Sequence, residues 1–230
     1  MAEFKYDVKN NPFKNVLFKE NQQTKVNWVK VPTNPGEKII LTLLPPVNDE
    51  IWRQLQAHWY KKTIYCPKSF NLDCKVCELI NKHYDKLKNY RARLRMYYNV
   101  VANGEIGIYG DAGQLGRLAF AYWEEIEEFI PIKFKLTRNA DGKIDRIILG
   151  ADNKVDLDDI IDNKKYYNLQ KVIKFTEANE MALEELYSKL IAELGDEILP
   201  TSKDETNQSI ENQSEEPKSI SLDDIADVDF

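Results

Sequence analysis

Cysteine and histidine are scarce in this 230-residue chain, with three of the first and two of the second. So few cysteines, and an odd number of them, exclude a disulfide scaffold and point to a reducing, intracellular setting. No apolar run approaches the roughly 18 residues that a membrane span needs. The opening "MAEFKYDVKNNPFKNV" has neither a hydrophobic segment nor a small-residue cleavage site, and does not read as a signal peptide. No internal repeat is visible. The one acidic cluster that could hold Mg2+, "DLDDIID" at 156–162, has no accompanying His or Lys of evident role. It reads as a solvated loop or helix start, so an enzyme such as a nuclease is not expected.

What is scarce is also concentrated. Cys66, Cys74, Cys77 and His58 all fall within "HWYKKTIYCPKSFNLDCKVCEL", residues 58–79. Unrelated buried thiols would scatter. His58-x7-Cys66-x7-Cys74-x2-Cys77 supplies four zinc-type ligands, with Cys74 and Cys77 as the tight pair that bends round a tetrahedral ion. Four protein ligands leave no position for a reactive water, so one structural Zn2+ is expected rather than a catalytic one. His58 is preferred as the fourth ligand, on ligand geometry. His83, six residues beyond Cys77 on the apolar face of a predicted helix, stays open as the alternative. A thioredoxin-like reading of Cys74-x2-Cys77 needs a βαβ context that is missing.

Charge is just as unevenly spread. The formal net charge is −6, yet residues 53–98 hold eleven Lys/Arg against three Asp/Glu. Residues 99–200 hold twelve against twenty, and residues 201–230 hold two against nine. A basic middle and a strongly acidic end point to a polyanionic partner and an acidic interaction tail. The basic segment also carries Trp59, Tyr60, Tyr65, Phe70, Tyr84, Tyr90, Tyr97 and Tyr98. Cations attract phosphates and ring faces stack on unpaired bases, a combination that suits single strands rather than duplex. About half of these rings are expected in the core. The strand period in "RARLRMYY" puts Arg91, Arg93, Arg95 and Tyr97 on one face, with Leu94, Met96 and Tyr98 on the other, core face. Arginine stands there three times where lysine dominates elsewhere, and arginine both stacks and binds phosphate bidentately.

Along the chain, residues 1–25 read as an N-terminal arm. "NWVKVP" and "EKIILTLLPP" read as strands, the second stopped by Pro45-Pro46. "CELINKHYDKLKNYRARL" has helical spacing at Leu79, Ile80, His83, Tyr84, Leu87 and Tyr90. Asn103-Gly104 and Asp141-Gly142 signal hairpins. "RLAFAYWEEIEEFI" predicts a helix burying Leu118, Tyr122, Ile126, Phe129 and Ile130, closed by Pro131. A last helix runs from the N-cap candidate Thr176 to the C-cap candidate Gly195. Residues 200–230 are too polar to bury a core and are expected to be disordered. The whole predicts a mainly β chain with helices (α+β). Its core is a small barrel over 26–199 with a zinc subdomain at about 52–95.

The order of these features resembles the T-even-type phage helix-destabilising single-stranded DNA-binding proteins. A strand ending in "LLPP" is followed by His58, Cys66 and a Cys-x2-Cys opening a helix. A basic stretch, "YYNVV", an amphipathic helix with Trp123 and an acidic tail come next. The resemblance covers roughly 38–130 by motif and 201–230 by composition. It implies an OB-fold-like barrel with an inserted zinc subdomain and no catalysis, in a protein that coats single-stranded DNA during replication, recombination and repair in the cytoplasm. It implies zinc on His58, Cys66, Cys74 and Cys77. The DNA-binding surface then takes Trp59, Tyr60, Lys61, Lys62, Tyr65, Arg91, Arg93, Arg95, Tyr97 and Tyr98. The tail tip, apolar residues interleaved with acids, is read as a docking peptide for replication and recombination proteins through Asp223, Asp224, Ile225, Asp227, Asp229 and Phe230. No membrane partner is expected. Self-association on DNA stays open, since the family's N-terminal Lys/Arg-rich cooperativity motif is not evident in "MAEFKYDVKNN". Shorter ligand intervals here require a more compact zinc loop. Base stacking does not exclude RNA, and a zinc-containing RNA-binding protein acting in transcription or translation is the alternative.

Overall fold

The computed structural model of the chain describes residues 26–47 and 52–195. The expected N-terminal arm and acidic tail lie outside these residues. The strands are Lys38–Leu43 (β1), Arg53–Tyr60 (β2), Lys62–Tyr65 (β3), Arg93–Ala102 (β4), Glu105–Asp111 (β5), Ile132–Arg138 (β6) and Ile144–Ala151 (β7), with burial alternating most clearly along β6 and continuous through the middle of β4. The helices are Lys75–Lys82 (α1), Tyr84–Leu87 (α2), Gln114–Ile126 (α3), Leu157–Asp162 (α4), Leu169–Val172 (α5) and Glu177–Leu194 (α6). The architecture is mixed α+β. Its seven strands form one open antiparallel sheet in the order β3-β2-β4-β1-β6-β7, with β5 paired to β4.

The long strand β4 sets the layout. Its first half pairs with β2, from Arg93 opposite Ala57 to Tyr97 opposite Arg53, while Val100 and Val101 meet β1. Residues 96–102 also pair with β5. No ladder joins β5 to β7 among the described residues, but Arg146 of β7 donates through Nε to Asp111 of β5 (3.1 Å), and both side chains are largely buried. The main core lies between the sheet and α3, where Trp52, Tyr98, Trp123, Leu41, Leu43, Val100 and Phe134 pack together. Asn103 and Gly104 both have positive φ, 53° and 79°, as the type I′ turn of β4–β5 requires.

Three expected elements differ. "NWVKVP" is not a strand: Trp28 makes only an isolated bridge to Ile108. The helix expected across 77–90 breaks at His83 (φ −127°), where α1 stops. Helix α3 begins at Gln114 and buries Leu115, Gly116, Ala119 and Trp123, not the stripe through Leu118, Tyr122 and Ile126. Gly116 explains the change, since a Cβ there would sit 2.6 Å from the Trp52 ring. Without one, that face of α3 lies directly on the indole. By contrast, "DLDDIID" is a helix start, with the Asp156 carboxylate accepting from the Asp159 amide (2.9 Å). No helix among the described residues is long and apolar enough to cross a membrane.

Candidate metal centre and the face behind it

The hairpin β2–β3 carries two chemistries because successive residues point to opposite faces. His58 lies opposite Ile64, and Cys66 follows β3 on that same side. Cys74 caps the N-terminus of α1, and Cys77 lies in its first turn, its amide donating to the Cys74 sulfur (3.5 Å). The four ligand atoms all lie within 4.8 Å of one another. Cys66 and Cys77 sulfurs are 3.6 Å apart, and His58 Nε2 is 3.5 Å from the sulfurs of both Cys74 and Cys77. His58, Cys66 and Cys74 are buried and Cys77 half-buried. This cluster could hold one metal ion.

His58 is the histidine in the cluster, and His83 is not: it caps the C-terminus of α1 with its side chain half-exposed. The carbonyl of Tyr90 lies 2.9 Å from His58 Nδ1. A proton on Nδ1 donated there leaves Nε2 as the free donor atom, the usual way a ligand histidine is oriented. Burial disfavours charge on His58, yet the Cys66 and Cys74 sulfurs and the Tyr90 carbonyl outweigh it and lift the imidazole to about 9. Contacts with Cys66 and Cys77 hold the Cys74 thiol far below its ordinary range, while Cys66 and Cys74 push Cys77 far above it. An entering cation would displace the retained protons and balance the sulfur charge.

Helix α6 covers the outside of this lobe. Ala182, Leu183, Leu186, Leu190 and Leu194 pack with Ile64, Cys66, Cys74, Val76, Leu79 and Leu87. Lys61 pairs with Glu185 and Lys75 with Glu184, while Tyr90 donates to Glu193 (2.7 Å). Tyr60 also turns this way, under the ammonium groups of Lys61 (5.0 Å) and Lys189 (5.1 Å). Tyr60 and Lys61, expected on a nucleic-acid surface, therefore face α6.

The opposite face of the hairpin aligns Trp59 with Thr63, Ala57 with Tyr65 and Arg93, and Leu55 with Arg95. Tyr97 of β4 lies opposite both Arg53 and Gly110. One end of this face is closed by Tyr167, Leu169 and Ile173, which pack on Leu55, Tyr97 and Ile108. Reciprocal hydrogen bonds between the Asn99 side chain and the Tyr167 backbone hold that cover (3.1 and 2.9 Å). Towards the hairpin tip the face is open, and Trp59 is 62% exposed. A pocket of about 270 Å3 lies here, lined by Trp28, Val29, Thr63, Tyr65, Arg95, Tyr97 and Gly110.

Arg93, Arg95 and Tyr97 thus share a face as their alternation requires, and Trp59 and Tyr65 join them from the hairpin. Arg91 is exposed just before β4 begins, and Lys62, also exposed, lies opposite Tyr60 and so falls on the metal side of the hairpin. Tyr97 is only 7% exposed, a pocket floor more than a free ring. It lies on Gly110, where a Cβ would come within 2.6 Å of the ring. Tyr98 is a correction: it is fully buried in the core, donating to Asp111 Oδ1 (3.0 Å) and accepting from the Gly116 amide (3.2 Å). No base can reach it. Leu94, expected inside, is exposed where the strand begins. Trp28 was not expected at the site. It comes from a distant segment held along β5 by Val29 N–H to the Ile108 carbonyl (2.9 Å), and a lone tryptophan among Asn and Lys was the only signal for it.

These features define a mixed α+β protein with a buried His/Cys3 cluster on one face of a hairpin and an aromatic, cationic pocket on the other. No protein-family model and no curated protein matches the sequence.

Proposed function

We propose that the chain binds single-stranded DNA without strong dependence on sequence, and that a structural zinc ion braces the lobe presenting the binding face. The observation that carries this reading is the open face of β2, β3 and β4. There Trp28, Trp59 and Tyr65 stand beside Arg93 and Arg95, pairing stacking surfaces with phosphate-binding cations. The sheet is read as a partly open OB-like barrel, and the protein as an accessory of replication, recombination and repair.

Zinc suits the donor set. With Zn–S near 2.3 Å and Zn–N near 2.0–2.1 Å, a tetrahedron separates two sulfurs by about 3.8 Å and sulfur from nitrogen by about 3.6 Å. The 3.6 Å and 3.5 Å spacings of the cluster agree with those values. Three thiolates and one imidazole also favour zinc over harder cations. Its contribution is to cross-link the lobe; binding falls to the chain's own rings and guanidinium groups.

Intrinsic fluorescence tests the reading directly. Of the four tryptophans, Trp52 and Trp123 are buried in the core, while Trp28 and Trp59 lie on the face, 46% and 62% exposed. Titration with poly(dT) should quench the emission of Trp28 and Trp59, and Trp28→Phe with Trp59→Phe should abolish most of that quenching. Poly(dT) should bind more tightly than poly(rU) or duplex. Tighter binding of poly(rU) would transfer the site to RNA, and no quenching by any of the three would refute the proposal.

The acidic segment 201–230, seven net negative charges, is read as a competitor for the same cations and a docking peptide for replication partners. Truncation after Pro200 should tighten single-strand binding most at low ionic strength, where the attraction is least screened. Equal affinities of truncated and intact chains at low salt would leave the segment a solubilising role only.

A further inference from the structure

We propose that the pocket at the open face is a one-base site that reads guanine or cytosine through Arg95. The inference rests on the nucleic-acid reading above. The pocket, about 270 Å3, is large enough to admit one planar nucleobase. The walls are flat and nearly perpendicular. The rings of Trp28 and Tyr65 stand at 80° and 89° to that of Tyr97, with centroids 6.0 and 5.9 Å away. A planar aromatic ligand can lie against one ring and meet another edge-on. Gly110 adds depth, because without a Cβ there the Tyr97 ring lies directly on the β5 backbone.

The charge of the pocket narrows the ligand further. Among the lining residues only Arg95 is of a charged type. A resident cation argues against an alkylammonium ligand, which an aromatic box would otherwise suit. Arg95 donates through Nη2 to Thr63 Oγ1 (3.2 Å), and no carboxylate among the described residues pairs with it. Thr63 therefore steadies a guanidinium whose other N–H groups remain for a ligand.

A guanidinium presents parallel donors, which match two adjacent acceptors. Guanine offers such a pair at O6 and N7. Cytosine offers one at O2 and N3, on the edge that a single strand leaves unpaired. Adenine sets a donor amino group beside each acceptor on those edges. Thymine and uracil place an N–H between their two carbonyls. The pocket chemistry thus divides the bases into guanine and cytosine on one side, adenine and thymine on the other. At neighbouring positions along the strand, stacking and phosphate contacts stay indifferent to sequence.

The test uses the full-length protein and a dT oligonucleotide of about 12 residues, within the usual span of one single-strand-binding fold. One central position is changed to guanine, cytosine, adenine or 7-deazaguanine. Guanine, cytosine or both should tighten binding roughly fivefold or more over adenine and all-thymine, the lower end for one bidentate base contact. The 7-deaza base, lacking N7, should lose most of the guanine gain. Arg95→Lys keeps the charge but not the fork, and should bring the ratio between oligonucleotides close to one, whatever its overall affinity. Equal binding of all the oligonucleotides by the wild-type chain, or a preference for adenine, would overturn the base site while leaving single-strand binding intact. Failure of every oligonucleotide to bind would overturn both readings.

Discussion

Cys74→Ser should empty the metal centre and loosen the lobe built around it. Wild-type protein purified without added metal should contain one zinc per chain by elemental analysis, and the variant none. The lobe is a four-residue strand, an eight-residue helix and short turns packed on α6. Pieces that small rarely bury enough apolar surface to order themselves without a cross-link. Apparent zinc-binding energies of roughly 10–16 kcal/mol are known where the whole fold depends on the ion. Here the main core is separate, so the loss should be local and on the order of several kcal/mol. Limited proteolysis should then cut between residues 58 and 90 in the variant and spare the intact chain. Chelation should reproduce the effect and restored zinc reverse it. Full protease resistance in a metal-free variant would show that packing alone holds the lobe.

Trp59→Ala should weaken single-strand binding by about 1–3 kcal/mol, the usual loss for one stacked base. That is roughly 5–150-fold in affinity. Trp59 is the most exposed ring of the face, so its removal should leave the thermal midpoint nearly unchanged. Tyr98→Ala supplies the contrast. It removes a fully buried ring from between Trp52 and Tyr109 and the hydroxyl that accepts from the Gly116 amide, which should cost about 3–5 kcal/mol of stability. If Trp59→Ala destabilises the fold without touching affinity in the folded fraction, the face is misassigned.

The metal cluster was legible because its ligands sit close in sequence and there are almost no other cysteines or histidines to confuse them. That His58 and not His83 lies beside the three thiols depends on something a sequence does not carry, the fold that brings β2 against the start of α1. The alternation of Arg93, Arg95 and Tyr97 predicted a shared face, since a strand's period is fixed by its backbone. It could not predict which rings would be covered. Tyr97 is sheltered by Trp28, Tyr65 and the 166–173 cover, all distant in the chain. Tyr98 lies in the core as that alternation requires, and only the family resemblance set it on the binding surface. The α3 stripe was misjudged because Gly116 reads as a helix breaker until Trp52 is seen lying on it. The docking of α6 on the metal lobe left only a weak trace, its leucines marking a buried stripe without naming what covers it.

The two-faced hairpin constrains how this chain can change length. His58 and Trp59 are neighbours in sequence but serve opposite sides of β2. Adding or deleting one residue within 53–57 would force a choice: keep the ligand histidine in place and lose the pairing with β4, or keep that pairing and exchange the two roles. The first loss strips Arg95 and Tyr97 of their partners across the strands, and the second puts an indole among the thiols. Changes of two residues preserve the parity of both faces and shift only the reach of the hairpin. Relatives of this protein should therefore vary in that strand by even steps or through a compensating bulge, and single-residue indels there should be as damaging as loss of a cysteine.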